Sequence, residues 1–176
     1  MEFEEKTLKP TTIYSGKILS LSRDEVSLPD GKTAIREIVH HGGGSCVLCE
    51  KNDKILFVKQ YRYAYKKELL EIPAGKKNEG ETPEQTALRE LKEETGIVGK
   101  KAQHLFDVYP SPGYTDEVIK IYKVSEFYES ESCLDDDEFL RAVWIEKSQV
   151  IQMMKNGEIK DGKTLIALLY ALKLSD

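Results

Sequence analysis

The stretch Arg89-Glu90-Leu91-Lys92-Glu93-Glu94 packs three carboxylates and a guanidinium into six positions. At helical spacing Glu90 and Glu94 are i and i+4, on one face about a turn apart, and Glu93 sits beside them four residues after Arg89. Like charges stacked this way destabilise an isolated helix by roughly 0.2–0.5 kcal/mol per pair. A bound divalent cation turns that liability into a site. Oxygen-only ligands suit Mg²⁺, with Mn²⁺ as a substitute, because such ions keep several waters and share the remaining positions with substrate phosphates. The competing reading is a solvated charged face, the ordinary fate of such runs. A second acidic group, Asp135-Asp136-Asp137-Glu138, reads alone as a polar turn before a strand. Arg36 and Arg62 read either as strand-end surface charges or as bidentate oxyanion binders.

The acidic run needs a helix to hold it, and the flanking residues supply one. Thr82-Pro83-Glu84-Gln85 combines an N-cap threonine, a proline at the first helical position and glutamine three residues after the cap. Ala87, Leu88 and Leu91 form a narrow apolar stripe, and Gly96 stops the helix. A second helix is expected over about 163–174, with Leu165, Ile166, Leu168, Leu169 and Leu172 for burial, and a shorter one over 147–155. Extended pieces are expected at 12–14, 20–28 and 33–39, the last two forming a hairpin around Pro29-Asp30-Gly31. Residues 45–50 and 54–61 form another hairpin, joined at Lys51-Asn52-Asp53, and further strands fall at 104–109, 118–124 and 141–145. Strands with few helices and no regular βαβ alternation indicate an α+β sandwich rather than a doubly wound sheet.

The chain has 176 residues, 40% of them hydrophobic, which is enough to bury the core of a domain of ordinary size. A formal charge of −5 argues against broad nucleic-acid binding but not against small anionic nucleotides, since a bound cation inverts the local sign. MEFEEKTLKP carries no apolar h-region, and no apolar run is long enough to cross a bilayer. Three cysteines make no disulfide framework. Cys46 and Cys49 are three apart on a strand, so they face opposite sides and are read as ordinary thiols rather than zinc ligands. A cytoplasmic protein with no membrane partner is the expectation. Gly42-Gly43-Gly44 precedes no helix and is no P-loop.

From Gly75 to Ile97 the chain reads GKKNEGETPEQTALRELKEETGI. This resembles the Nudix box, G-x5-E-x7-R-E-U-x-E-E-x-G-U with U bulky and aliphatic. Gly75, Glu81, Arg89, Glu90, Leu91, Glu93, Glu94, Gly96 and Ile97 all match in register. The resemblance implies an α/β/α sandwich in which the box forms loop, helix and loop. It implies further that Arg89 pairs with a box carboxylate and that Glu90 and Glu94 hold catalytic Mg²⁺. Glu93 assists, and the Ala74 carbonyl can complete a metal site.

Other segments resemble the ADP-ribose pyrophosphatase subgroup of that family. Leu70-Glu71-Ile72-Pro73-Ala74-Gly75 is similar to its E-x-P-A-G entry to the box, and Gln60-Tyr61-Arg62 to its Q-F/Y-R segment. Arg36-Glu37-Ile38 is similar to its R-E-I/V strand, and Ser111-Pro112-Gly113 followed by Asp116-Glu117 to its post-box loop, with Pro112 15 residues beyond Ile97. The implied substrate contacts are Arg36, Glu37, Arg62, Lys76, Ser111, Pro112, Gly113 and Glu117. By register with the subgroup's D/E-E-D-E loop, Glu138 is a further metal ligand. Asp136 falls where the base is usually a glutamate, and Glu117 is the other candidate for that role. Residues 1–40 correspond to a small β-rich arm exchanged across a homodimer, with Lys17 and Ile18 approaching the partner's adenine, and 41–176 to the catalytic domain. The implied reaction is Mg²⁺-dependent hydrolysis of ADP-ribose to AMP and ribose 5-phosphate. The alternatives are another nucleoside diphosphate derivative, such as a sugar nucleotide or a dinucleoside polyphosphate, and a nucleotide sensor that does not cleave.

Overall fold

The computed structural model describes residues 2–131 and 139–173. They form two compact units: residues up to Gly43 together with Tyr109–Val118, and Gly44–Val108 together with the residues from Ile119 onward.

The first unit is a four-stranded antiparallel sheet of β1 (Lys6–Lys9), β2 (Thr12–Ser15), β3 (Leu19–Ser27) and β4 (Thr33–His41). The expected hairpin joins β3 to β4 in unbroken register from Leu19↔His41 to Ser27↔Thr33. Its turn is set by Gly31, at a φ of 84°, and by the Asp30 carboxylate, which accepts from Lys32 N at 3.0 Å. Strand β1 has no alternating pattern and was not expected from the sequence; pairing with β3 creates it. It shares one edge of β3 with β2, and Pro10, which has no N–H to give the ladder, separates the two. Thr11 N turns instead to Asp24 Oδ1, at 3.2 Å. The segment Tyr109–Val118 is tied to β4: Val39 N donates to Tyr114 O at 2.8 Å and Asp116 N to Val39 O at 3.3 Å. His40 extends that tie, with Nδ1 2.5 Å from Asp116 Oδ2 and Nε2 3.0 Å from Ser22 Oγ.

The second unit is built on a mixed seven-stranded sheet. Strands β5 (Gly44–Lys51) and β6 (Lys54–Arg62) are the expected hairpin, with Asn52 and Asp53 both at positive φ (48° and 63°) in its tight turn. After a 3-10 turn at Tyr63–Tyr65 come β7 (Lys67–Glu71), β8 (Ala74–Lys76), α1 (Pro83–Thr95), β9 (Ile97–Gly99), β10 (Gln103–Val108), β11 (Ile119–Val124), β12 (Phe127–Glu129) and β13 (Leu140–Glu146). Helices α2 (Lys147–Lys155) and α3 (Gly162–Lys173) end the described chain. The main path runs β10-β11-β5-β6-β13, with β7 paired to β6 and β8 to β5; β11 and β5 are parallel. The short strands β7, β8, β9 and β12 were missed, because three to five residues give too little periodicity to separate strand from loop.

Alternation along β5 explains the layering. Cys46 and Leu48 pack with Ile55, Phe57, Ile121, Val150 and Leu168 in a core under α2 and α3. Val47 and Cys49, on the other face, pack with Leu56, Ala87, Leu91 and Val124 under α1. The sheet is therefore covered by helix on both faces, the α/β/α sandwich within an α+β class. Fully buried side chains such as Phe57 and Leu48 contribute about 1.5–3 kcal/mol each to that packing. Burial raises both the Cys46 and Cys49 thiols to about 12, which suits inert core residues. Among the described residues no helix is long and apolar enough to cross a membrane.

Candidate active site

The site is organised by α1. Thr82 and Gln85 cap its start reciprocally, Thr82 N donating to Gln85 Oε1 at 2.8 Å and Gln85 N to Thr82 Oγ1 at 3.2 Å. Gly96 ends it in the left-handed region, φ 72°, donating to Lys92 O at 2.8 Å. With both ends fixed and Ala87 and Leu91 fully buried, the helix cannot rotate, and it carries its acids inward rather than into solvent. Glu90 is 8% exposed and Glu94 4%. Carboxylates buried to this depth cost several kcal/mol unless partnered, so a solvated charged face is excluded.

The partners come from the β8 region and from within the helix. Ala74 N donates to Glu94 Oε2 at 2.9 Å. Glu90 lies so close to Gly75 that a Cβ there would sit 2.0 Å from its carboxyl carbon. Only glycine leaves the Glu90 carboxylate its place. Arg89 binds three box carboxylates: Nε to Glu81 Oε1 at 2.7 Å, Nη1 to Glu93 Oε2 at 2.7 Å and Nη1 to Glu90 Oε1 at 2.9 Å. Its Nη2 also donates to the Lys76 carbonyl at 3.0 Å, so one guanidinium clamps the loop before the helix to the helix itself.

Glu81 is the residue whose part the motif alone did not disclose. The Arg89 hydrogen bond, with Asn78 N–H and the Thr86 hydroxyl adding to it against some desolvation, holds its carboxyl down to about 2. A carboxyl depressed on folding adds stability that is fully present above its unfolded value, ordinarily 4.5, and drains away as pH falls towards about 2. Glu81→Gln is therefore expected to lower Tm at pH 7, and the gap from wild type should close through that acid window. Thermal scans from pH 7 to pH 2 check this; a gap that does not change with pH would show the clamp is not ionic.

Arg62 ends β6 and meets Glu71, at the end of β7, through two parallel hydrogen bonds, Nε to Oε1 and Nη2 to Oε2, each 2.6 Å. Glu71 is 1% exposed, while the Arg62 side chain keeps 40% of its surface. Burial pushes the Glu71 carboxyl up, but hydrogen bonds and charge from Arg62 and Lys163 outweigh it and leave it below the usual range. The Arg62 guanidinium is held up by Glu71 first and, over longer distance, by Asp161 and Glu94. Ala74, Lys76, Arg89, Glu90, Glu93 and Glu94 are thus brought together, with Arg62 in electrostatic reach. Neither Glu71 nor Lys163 was singled out from the sequence; Glu71 lay within a quoted motif, and Lys163 carried no signal.

The remaining expected contacts lie in the other compact unit. Arg36 pairs with Glu5 (Nε to Oε2, 2.8 Å), and Glu37, exposed, stands opposite Arg23 in the β3–β4 ladder. Lys17 and Ile18 are exposed between β2 and β3. The Ser111 carbonyl accepts from Tyr114 N and Thr115 N at 3.2 Å each, closing the turn that contains Pro112 and Gly113. Glu117 Oε1 lies 3.2 Å from His41 Nδ1. Asp136 and Glu138 lie outside the described residues.

The donor set fits a hard divalent cation. Glu90 and Glu94 are buried carboxylates of the kind such a cation takes, the Gly75 Cα leaves room beside one of them, and the Ala74 amide orients the other. Among the described residues no three His, Cys, Asp or Glu side chains gather around one metal position. Two carboxylates with water and phosphate completing the shell match the habit of Mg²⁺.

Comparison with known proteins settles the family. The profile described as "NUDIX domain" matches residues 39–168, and that described as "Nucleoside diphosphate sugar hydrolase N-terminal domain" matches residues 5–39. The chain belongs to the Nudix family. It is 41% identical over 170 residues to the ADP-ribose pyrophosphatase of Bacillus subtilis (95% of this chain, 92% of that one). It is 43% identical over 171 residues to the methanol dehydrogenase activator of Bacillus methanolicus (96% and 92%). It is 34% identical over 149 residues to the GDP-mannose pyrophosphatase of Yersinia enterocolitica (78% and 77%). A solved structure described as an ADP compounds hydrolase superposes with a TM-score of 0.85 at 16% identity, covering 97% of this chain and 94% of that one, which shows a shared fold. In this Nudix chain the box helix is capped at both ends, buried on one face and clamped by Arg89.

Proposed function

We propose that this chain hydrolyses the diphosphate linkage of ADP-ribose, releasing AMP and ribose 5-phosphate, with Mg²⁺ as cofactor and Mn²⁺ as a substitute. The observation that carries the reaction class is the buried Glu90–Glu94 pair held against Gly75 and the Ala74 amide. Support for the substrate comes from the ADP-ribose pyrophosphatase relative and from Arg62, a half-buried guanidinium fixed in orientation by Glu71 within electrostatic reach of Glu94. When bound, Mg²⁺ would supply charge to offset the diphosphate and activate the attacking water. Glu90, Glu94, the Ala74 carbonyl and Glu138 are its proposed ligands. Arg89 keeps Glu81, Glu90 and Glu93 in place. Arg62 and Arg36 bind phosphate oxygens, Glu37, Lys76, Ser111, Pro112, Gly113 and Glu117 line the substrate, and Asp136 or Glu117 accepts the proton of the attacking water.

We also assign residues 1–40 to a dimerisation arm and 41–176 to the catalytic domain of a cytoplasmic homodimer, with Lys17 and Ile18 reaching the partner's adenine. The four-stranded N-terminal sheet supports this, because Leu8, Ile13 and Tyr14 on it, and Ile18 in the bend between β2 and β3, are each more than half exposed.

The GDP-mannose pyrophosphatase relative supports a second reading, a sugar nucleotide in place of ADP-ribose. A panel of ADP-ribose, GDP-mannose and a dinucleoside polyphosphate, assayed with and without Mg²⁺ in ¹⁸O-labelled water, decides between them. Metal-dependent release of AMP from ADP-ribose with the highest kcat/KM is expected, and the labelled product identifies the phosphorus attacked. Preference for GDP-mannose would replace the substrate, and binding of all three without cleavage would make the chain a nucleotide sensor.

A further inference from the structure

Arg62 uses Nε and Nη2 on Glu71, leaving Nη1 outside that pairing. A guanidinium delivers directed hydrogen bonds to an oxyanion only if its plane is held, so the question is what holds Glu71. Its carboxylate is 1% exposed, and Oε2 is shared between Arg62 Nη2 at 2.6 Å and Lys163 Nζ at 2.5 Å. Lys163, in the first turn of α3, also reaches Asp161 Oδ2 at 2.9 Å. Asp161 Oδ2 in turn accepts from Thr164 N at 3.0 Å and Thr164 Oγ1 at 2.6 Å. Ile72 N donates to Thr164 Oγ1 at 2.9 Å, so the start of α3 is fastened to both Glu71 and Ile72. Two residues on, Ala74 N holds Glu94.

Two cations and two anions make this cluster neutral. Without Lys163, Arg62 alone would face the carboxylates of Glu71 and Asp161. The guanidinium would be drawn inward to neutralise both, and its fixed plane would be lost. We infer that Lys163 is a positioning residue for substrate binding: its ammonium, bridging Glu71 and Asp161, holds Glu71 so that Arg62 presents its outer edge to the diphosphate. This rests on the reading that Arg62 binds substrate. Lys163 itself touches neither substrate nor metal.

The test is a double-mutant cycle read in KM and kcat on the full chain with Mg²⁺. Lys163→Met should raise KM for ADP-ribose about tenfold with kcat within about threefold, the pattern of lost substrate binding rather than lost chemistry. Arg62→Met should raise KM at least as much. The double variant should be no worse than Arg62→Met, because the lysine acts through the arginine. Lys163→Arg should recover most of the loss. Should Lys163→Met fold poorly, Glu71→Gln breaks the same link from the sheet side and should show the same KM-selective, non-additive loss. An unchanged KM in the Lys163 and Glu71 variants, or effects that multiply with Arg62→Met, would overturn the positioning role while leaving Arg62 as a substrate ligand. An unchanged KM in Arg62→Met would instead remove the substrate role of Arg62, and this inference with it.

Discussion

Glu94→Gln is expected to lower kcat for ADP-ribose hydrolysis by about a thousandfold while Tm moves by no more than about 3 °C. The two halves of that expectation come from different atoms of one side chain. Glu94 is 4% exposed and accepts from Ala74 N through Oε2, a contact that an amide oxygen can reproduce without moving the strand. What an amide cannot reproduce is negative charge on the ligand of a hard cation, where the charge sets affinity for the metal and the electrostatic relief given to a diphosphate. Steady-state kinetics at saturating Mg²⁺ with a thermal scan on the same sample read both. Near-normal turnover would remove Glu94 from the metal site, and a collapse in Tm would make it a structural acid.

Gly75→Ala is expected to cost activity about a hundredfold, through a residue that carries no chemistry of its own. Its added methyl would fall 2.0 Å from the carboxyl carbon of Glu90, far inside the 3.4–4 Å of ordinary van der Waals contact. Either the Ala74–Lys76 strand backs away from α1 or Glu90 leaves its rotamer, and both pull a proposed metal ligand out of place. A displacement of about 1 Å in a positioned catalytic group costs of that order. Overpacking at such a contact also costs about 1–3 kcal/mol of stability. Kinetics across a Mg²⁺ titration distinguish the outcomes: a raised metal requirement is expected, and wild-type metal dependence would show that the loop accommodates the methyl.

The parts of this molecule legible in the sequence are those whose signals are local. The capping residues Thr82 and Gln85, the stop at Gly96 and the short apolar run over 46–49 each act within a few residues of themselves. The helix α1 and the hairpins β3–β4 and β5–β6 accordingly lie where those residues place them. The box resemblance extended that reach by naming Glu90, Glu94 and Arg89 together. What stayed illegible depends on pairing at a distance. Strand β1 is extended only because β3 offers an edge. Lys163 lies ninety-two positions from Glu71 in sequence, so no window of residues could join them. Arg62 shows the middle case, since its type and neighbours suggested an anion-binding group while its bidentate hold on buried Glu71 required the fold.

Strand β5 separates two cores, and that separation has a consequence for how this enzyme can change. Val47 and Cys49 support the helix that carries Glu90 and Glu94, whereas Cys46 and Leu48 support the helix that carries Lys163. Neighbouring codons of one strand therefore answer to different tasks: odd positions seat the helix that carries the proposed metal carboxylates, even ones the helix that carries Lys163. On the role inferred for Lys163, drift beneath α3 retunes the hold on substrate while the carboxylates of α1 stay as they are. A lineage built this way changes how tightly it holds a diphosphate through interior substitutions that never touch the ligand.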